Sequence, residues 1–187
     1  MAVLMFVKKA LSLRLKKLAR CPMNSEKATI ISIAGKKNAG KTTLIRTLIP
    51  ELKERGHRVG TLKHNIKEFR VDHEGKDTYK YYHSGADSIA LTSQDEIAVI
   101  KRVTDPPGIS EIIAKYLNDV NIVFVEGYRG DDFPRIKIVD SKETGSNDPG
   151  NELILIREDL ETKRFSPEDT NKALDFIENI IHLKRKK

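Results

Sequence analysis

The chain has 187 residues, of which 39% are hydrophobic and 33% are charged, a balance typical of a globular protein with one sizeable core. Tryptophan is absent and aromatic residues make up only 6%, so aliphatic side chains must fill that core. The single cysteine, Cys21, excludes an intrachain disulfide framework and a metal site built from several cysteines.

The formal net charge of +7 comes from the two ends of the chain. Residues 1–23 hold six lysines and arginines and no acidic residue, and residues 184–187 are all basic. The remainder holds 24 basic and 27 acidic residues, so charge gives no argument for a nucleic-acid partner. No apolar run approaches the roughly 18 residues of a transmembrane helix, and we expect a cytoplasmic protein without a membrane span.

Residues 1–23 alternate apolar and basic side chains. Three interpretations compete: an amphipathic helix at a membrane surface, a segment that resembles a targeting signal, or an extension that precedes a domain beginning near Met23. We favour a poorly ordered basic extension without a role in catalysis.

A short strand rich in β-branched residues, Ala28–Ala34, is predicted before the segment Gly35–Thr42. This segment matches G-x-x-x-x-G-K-[ST], the P-loop, whose backbone N–H groups surround the phosphates of a nucleoside triphosphate. In a P-loop, Lys41 would reach the β- and γ-phosphate oxygens and the Thr42 hydroxyl would bind Mg²⁺. The predicted nucleotide-binding residues are Gly35, Lys36, Lys37, Asn38, Ala39, Gly40, Lys41, Thr42 and Thr43.

A helix is predicted after this loop, because apolar side chains recur at helical spacing from Leu44 to Leu52. Gly56 stands where the C-cap of such a helix is expected. Pro50 lies inside the pattern, and an internal proline costs about 3 kcal/mol or more. We therefore expect a break or kink, with Glu51–Arg55 as a separate last turn.

A second strand, His57–Leu62, precedes a polar stretch that runs to about Ser84, too long for an ordinary connection. We interpret this stretch as a functional loop. Asp72 and Asp77 could join the Mg²⁺ ligands when the loop closes, and Lys63 or Lys76 could contact an anionic ligand. The alternative is a solvated charged loop.

Strands and helices then alternate along the chain. The predicted elements are strands at Ser88–Thr92, Ile97–Ile100, Ile122–Val125, Ile136–Val139 and Leu153–Ile156, and helices at Ile109–Leu117 and from an N-cap at Ser166 to about Leu183. This order predicts an α/β fold of the P-loop NTPase class, with a mostly parallel β-sheet flanked by helices. Residues 24–187 are expected to form a single nucleotide-binding domain.

Glu126 directly follows the continuous apolar run Ile122–Val125. An acid at the end of a buried parallel strand is the Walker B arrangement, and ligands of open α/β sheets bind beyond the carboxyl ends of the strands. Glu126 is therefore predicted to hold Mg²⁺ through a water or to orient an attacking water. The alternative is an ordinary polar residue that ends a strand. The predicted metal ligands are Thr42, Glu126 and Asp72, and the predicted catalytic residues are Lys41, Glu126 and Asp72.

The combination of these motifs, in order from about Thr29 to Val139, resembles the MobB family, the GTP-binding adapter proteins of molybdopterin guanine dinucleotide biosynthesis. The segments that carry the resemblance are Gly35–Thr43, Leu62–His64, Val71–Asp72, Gly75–Thr78, Ser84–Ala86, Val125–Tyr128 and Pro134–Ile136. The chain departs from the family pattern at Asn38 and Ala39, where small Ser, Gly or Thr residues are common, and in the extension before Met23.

The resemblance implies binding of GTP with Mg²⁺, weak hydrolysis of GTP, and a homodimer. It also implies assistance to a MobA-type guanylyltransferase, which joins GMP to molybdopterin. The preference for GTP over ATP depends on the resemblance alone, since no Asn-Lys-x-Asp motif is present. Lys36 stands where dimeric P-loop ATPases of the deviant type place a lysine that reaches across the dimer; the alternative is a solvent-exposed lysine.

Three other functions remain open at this stage. A pure binding module would bind the nucleotide without hydrolysing it. A small P-loop kinase acting on a metabolite would need an arginine-rich lid, and the stretch from Lys63 to Ser84 contains only Arg70. A metal-chaperone GTPase would need a Cys/His cluster, for which the sequence gives no clear pattern.

Overall fold

The computed structural model describes residues 27–66, 73–140, 151–157 and 165–186. Within these ranges the chain divides into two compact units. The larger contains the described residues up to His64 and from Ser110 onward, and the smaller is Asn65–Ile109. The predicted extension at 1–23 and the predicted catalytic and metal-binding Asp72 lie outside the described residues, and a single domain over 24–187 stays a prediction.

Strands and helices alternate as the sequence predicts. In chain order they are β1 (Thr29–Gly35), α1 (Lys41–Glu54), β2 (Val59–Lys63), α2 (Asp77–His83), β3 (Ser88–Thr92), β4 (Ile97–Lys101), α3 (Ile109–Tyr116), β5 (Ile122–Glu126), β6 (Arg135–Asp140), β7 (Glu152–Arg157) and α4 (Pro167–Arg185).

The larger unit is built on a five-stranded sheet in the order β2-β5-β1-β6-β7. All four neighbouring pairs are parallel. β1 lies at the centre, so its carboxyl end has β5 on one side and β6 on the other. The α/β fold with a mostly parallel sheet is thereby confirmed.

One face of this sheet forms the core with α1 and α4. Ile31 and Phe124 from the strands are fully buried against Leu48 of α1 and Ile177 of α4. Burying one such side chain contributes roughly 1.5–3 kcal/mol. Val123 points to the opposite face and is also fully buried, so both faces of the central strands are covered.

Helix α1 does not break at Pro50, and the predicted separate last turn is wrong. Pro50 itself is exposed, but the helix buries apolar side chains both before and after it in the sequence, namely Leu44, Ile45, Leu48 and Leu52. Packing of this continuous apolar face outweighs the lost hydrogen bond. The predicted C-terminus is confirmed: Gly56 has φ of +87°, and the N–H groups of Gly56 and His57 bond to the carbonyls of Lys53 and Leu52, which is a Schellman motif.

The smaller unit contains α2 and the antiparallel hairpin β3–β4. The polar stretch that was interpreted as a loop holds helix α2, none of whose residues is buried. The rings of Tyr79 and His83, one turn apart, stack with centroids 3.9 Å apart. Asp77 begins this helix and pairs with Lys80 at 3.2 Å.

Candidate nucleotide-binding site

The loop between β1 and α1 depends on two glycines. Gly35 has φ of +147°, and a Cβ there would lie 2.8 Å from the backbone oxygen of Ile138, closer than real contacts allow. Gly40, with φ of +94°, is the N-cap of α1 and has no side chain that could cap it. The first N–H groups of α1 therefore have no capping side chain, which suits a bound anion.

The Lys41 ammonium lies over its own loop. Its Nζ donates hydrogen bonds to the carbonyl oxygens of Gly35 at 2.9 Å and Lys36 at 2.7 Å. Ala39 fixes the loop to the core, because its side chain is buried there and its backbone N–H donates a hydrogen bond to the Lys36 carbonyl oxygen. The positive charge is thus held at the mouth of the loop.

Glu126 reaches the same place from the neighbouring strand. In the β1–β5 register it pairs with Ile33, two residues before the loop begins. The Thr42 hydroxyl donates to the Glu126 Oε2 atom at 3.3 Å. A hydroxyl and a carboxylate are oxygen donors of the kind that Mg²⁺ prefers, so these two side chains fit a magnesium site.

These groups line one cavity of about 630 Å³. Its lining residues are Lys36, Lys37, Asn38, Ala39, Gly40, Lys41, Thr42, Thr43, Lys63, Glu126, Ile138, Val139 and Asp140. The structure therefore brings together eight of the nine predicted loop residues with Glu126, and Gly35 contributes a carbonyl that holds Lys41. Four lysines against two carboxylates make the cavity electropositive, which favours an anionic ligand.

The sequence does not predict the wall of the cavity that β6 forms. Asp140 is the last residue of β6, and its Oδ2 lies 3.7 Å from the Lys36 Nζ. The predicted strand ended one residue earlier, and no local pattern marks Asp140. Lys63, one of the two lysines that the sequence offers as contacts for an anion, lines the cavity.

The turn after Glu126 is a close approach of two backbones. Gly127 has φ of +90°, and a Cβ there would lie 2.5 Å from the His64 carbonyl oxygen. At the ends of the same two strands, the backbone N–H of His64 donates a hydrogen bond to the backbone carbonyl oxygen of Glu126 at 2.8 Å. Tyr128 follows and donates its hydroxyl proton to Asp132, and this hydrogen bond raises the pKa of the phenol. The main chain on both sides of Glu126 is thereby fixed.

A loop of this form between a central parallel strand and a helix, with an acid at the end of the adjacent strand, defines a P-loop NTPase-like α/β protein. The family model "Molybdopterin guanine dinucleotide synthesis protein B" (MobB) matches residues 30–159, and the chain belongs to this family.

Individual relatives agree with this assignment. The chain is 29% identical over 160 residues to the molybdopterin-guanine dinucleotide biosynthesis adapter protein of Haemophilus influenzae, covering 82% of this chain and 89% of that protein. It is 27% identical over 157 residues to the adapter protein of the same name from Escherichia coli, covering 81% and 86%. A crystal structure titled molybdopterin-guanine biosynthesis protein B (mobB) matches with a TM-score of 0.59 at 27% identity, covering 81% of this chain and 99% of that chain.

Within the described ranges, no helix combines the length and the hydrophobicity needed to cross a bilayer.

Proposed function

We propose that the protein is an adapter of molybdopterin guanine dinucleotide biosynthesis that binds GTP with Mg²⁺ and hydrolyses it slowly. It would assist a MobA-type guanylyltransferase, in the cytoplasm and as a homodimer. Membership of the MobB family and the names of the two bacterial relatives support the biosynthetic role.

The observation that carries nucleotide binding is the convergence of three groups in one cavity. Lys41 is held by the loop carbonyls, and the Thr42 hydroxyl meets the Glu126 carboxylate at 3.3 Å. The Lys41 ammonium would leave those carbonyls for the β- and γ-phosphate oxygens, while the loop N–H groups bind the remaining phosphate oxygens.

Mg²⁺ would be held by the Thr42 oxygen directly and by Glu126 through a water, and when bound it neutralises charge on the phosphates. Glu126 would also orient the water that attacks the γ-phosphorus. The bond from that phosphorus to the β–γ bridging oxygen then breaks, which releases GDP and phosphate.

The decisive test is a titration of the full chain with GTP and with ATP, each with and without Mg²⁺. We expect Mg²⁺-dependent binding with GTP tighter than ATP; tighter ATP binding would refute the proposal as stated. Lys41→Ala removes charge-assisted hydrogen bonds worth roughly 1.5–3 kcal/mol, so GTP affinity should fall about 10- to 100-fold.

The matched control is Lys53→Ala, which removes an exposed lysine from the other end of the same helix. It should leave GTP affinity unchanged. Retained affinity in Lys41→Ala, with an unchanged circular dichroism spectrum, would refute the site.

The adapter role needs an assay with its partner. Addition of this protein with GTP should increase GMP transfer by a MobA-type enzyme, and Lys41→Ala should not. A metabolite kinase would instead pass the γ-phosphoryl group to an organic acceptor, so finding phosphorylated metabolite in place of free phosphate would favour that alternative.

A further inference from the structure

The cavity has two sides, set by the strand order. β1 is central, with β5 and β2 on one side of its carboxyl end and β6 on the other. Glu126 and Lys63 line the cavity from the first side, and Ile138 to Asp140 line it from the second. The crevice where strand order reverses is where open α/β sheets bind ligands.

The phosphates and the nucleoside of a bound triphosphate would occupy different sides. Thr42 and Glu126, the groups that fit Mg²⁺, meet on the β5 side. Mg²⁺ held there by Thr42 and Glu126 would neutralise charge on the terminal phosphates, so these phosphates would lie on that side. The α-phosphate and the nucleoside would then extend toward β6, the other side of the cavity.

Asp140 stands at the end of that path. Ile136, Ile138 and Asp140 are every second residue of β6, so their side chains lie on the same face of the sheet. The two isoleucines pack into the core with α1, which places the Asp140 side chain on the face that carries the loop. Its side chain is about one-third exposed and lies 3.7 Å from the Lys36 ammonium. Its carboxylate is thus held at the cavity wall.

We infer that Asp140 recognises the base of the bound nucleotide, by accepting hydrogen bonds from two adjacent N–H donors on the edge of a purine. Guanine offers such a pair, N1–H and the 2-amino group, whereas adenine has a bare acceptor at N1, which a carboxylate would repel. Two carboxylate oxygens carry about four lone-pair sites, so the ion pair with Lys36 is compatible with this role. The inference rests on the proposed binding of a triphosphate, and it supplies the guanine selectivity that no sequence motif explains.

The test measures affinities of the wild-type chain and Asp140→Asn for GTP, ATP, ITP and XTP in the presence of Mg²⁺. A well-placed bidentate pair is worth roughly 1–3 kcal/mol, so Asp140→Asn should weaken GTP binding about 5- to 150-fold, while ATP, no longer repelled by a carboxylate, should bind no more weakly than to the wild type. ITP lacks the 2-amino group and should bind the wild type more weakly than GTP.

XTP provides the gain of function that a damaged protein could not show. Xanthine keeps N1–H but has an oxygen at position 2, which the asparagine amide would bind and the aspartate would repel. Asp140→Asn should therefore bind XTP more tightly than the wild type does.

The control is Asp119→Asn, which makes the same chemical change at an exposed residue. Asp119 precedes β5, at the opposite edge of the sheet, so this substitution should leave all four affinities unchanged. A ratio of GTP to ATP affinity that stays within twofold in Asp140→Asn, with no gain for XTP, would overturn the inference. An equal loss of GTP and ATP would assign Asp140 only to holding Lys36 in the loop, which also overturns it. Failure of the wild-type chain to bind GTP would instead refute the proposed function itself.

Discussion

Replacement of Gly127 by alanine should destabilise the protein by an amount that can be divided into two parts. The residue has φ of +90°, where an L side chain costs about 1–2 kcal/mol. The added Cβ would also lie 2.5 Å from the His64 carbonyl oxygen. Because that atom belongs to the backbone, it cannot rotate away, and displacing packed structure typically costs about 1–3 kcal/mol. The expected total is roughly 2–5 kcal/mol.

Gly56 offers a matched comparison. It has nearly the same backbone conformation, φ of +87°, but an added Cβ would meet nothing within 4 Å. Gly56→Ala should therefore cost only the conformational part. The smaller entropy of the unfolded chain, which favours alanine in both variants, cancels in the difference.

Urea unfolding followed by circular dichroism measures both variants against the wild type, with the slope checked for constancy. Gly127→Ala should be about 1–3 kcal/mol less stable than Gly56→Ala. Equal losses in the two variants would show that the His64 carbonyl moves without cost, and the argument that this contact fixes the backbone at Glu126 would then be wrong.

Two further predictions concern a helix cap and the loop. Ser166 accepts a hydrogen bond from the Asp169 N–H at 3.0 Å, so Ser166→Ala should lower the free energy of unfolding by about 0.5–2 kcal/mol. Ser166→Asn keeps a side-chain acceptor and should lose much less stability. Equal losses in the two variants would contradict the role of Ser166 as a cap. If Lys36 reaches a phosphate across a homodimer, Lys36→Ala should lower the GTP turnover number measured by phosphate release, and unchanged turnover with unchanged affinity would reject that hypothesis.

Most of the residues that line the candidate cavity could be predicted to lie together, because their signals are local in sequence. The P-loop occupies eight consecutive residues, and Glu126 ends a run of four buried apolar residues. Each pattern predicts a parallel strand, and the carboxyl ends of these two strands lie at the same edge of the sheet. Asp140 carries no such signal, because what marks it is a contact with Lys36, more than 100 positions earlier in the chain.

The two errors in secondary structure have different origins. Proline at position 50 obeys a local rule, but a buried face that continues to Leu52 outweighs it. Helix α2 lacks any buried residue and so shows no apolar periodicity, and the Tyr79–His83 ring contact that accompanies it is not a hydrophobic pattern.

The central position of β1 also bears on synthesis of the chain. Thr29 pairs with Ile122 and Ser32 with Arg135, so both neighbours of β1 are translated about 90 to 100 residues after it. At about 5–20 residues per second, the ribosome completes β5 roughly 5–20 s after β1. During that interval Ile31 and Ile33, fully buried in the finished protein, have no sheet partner on either side. The loop between β1 and α1 is thus made well before the two strands that lie beside β1 in the finished sheet.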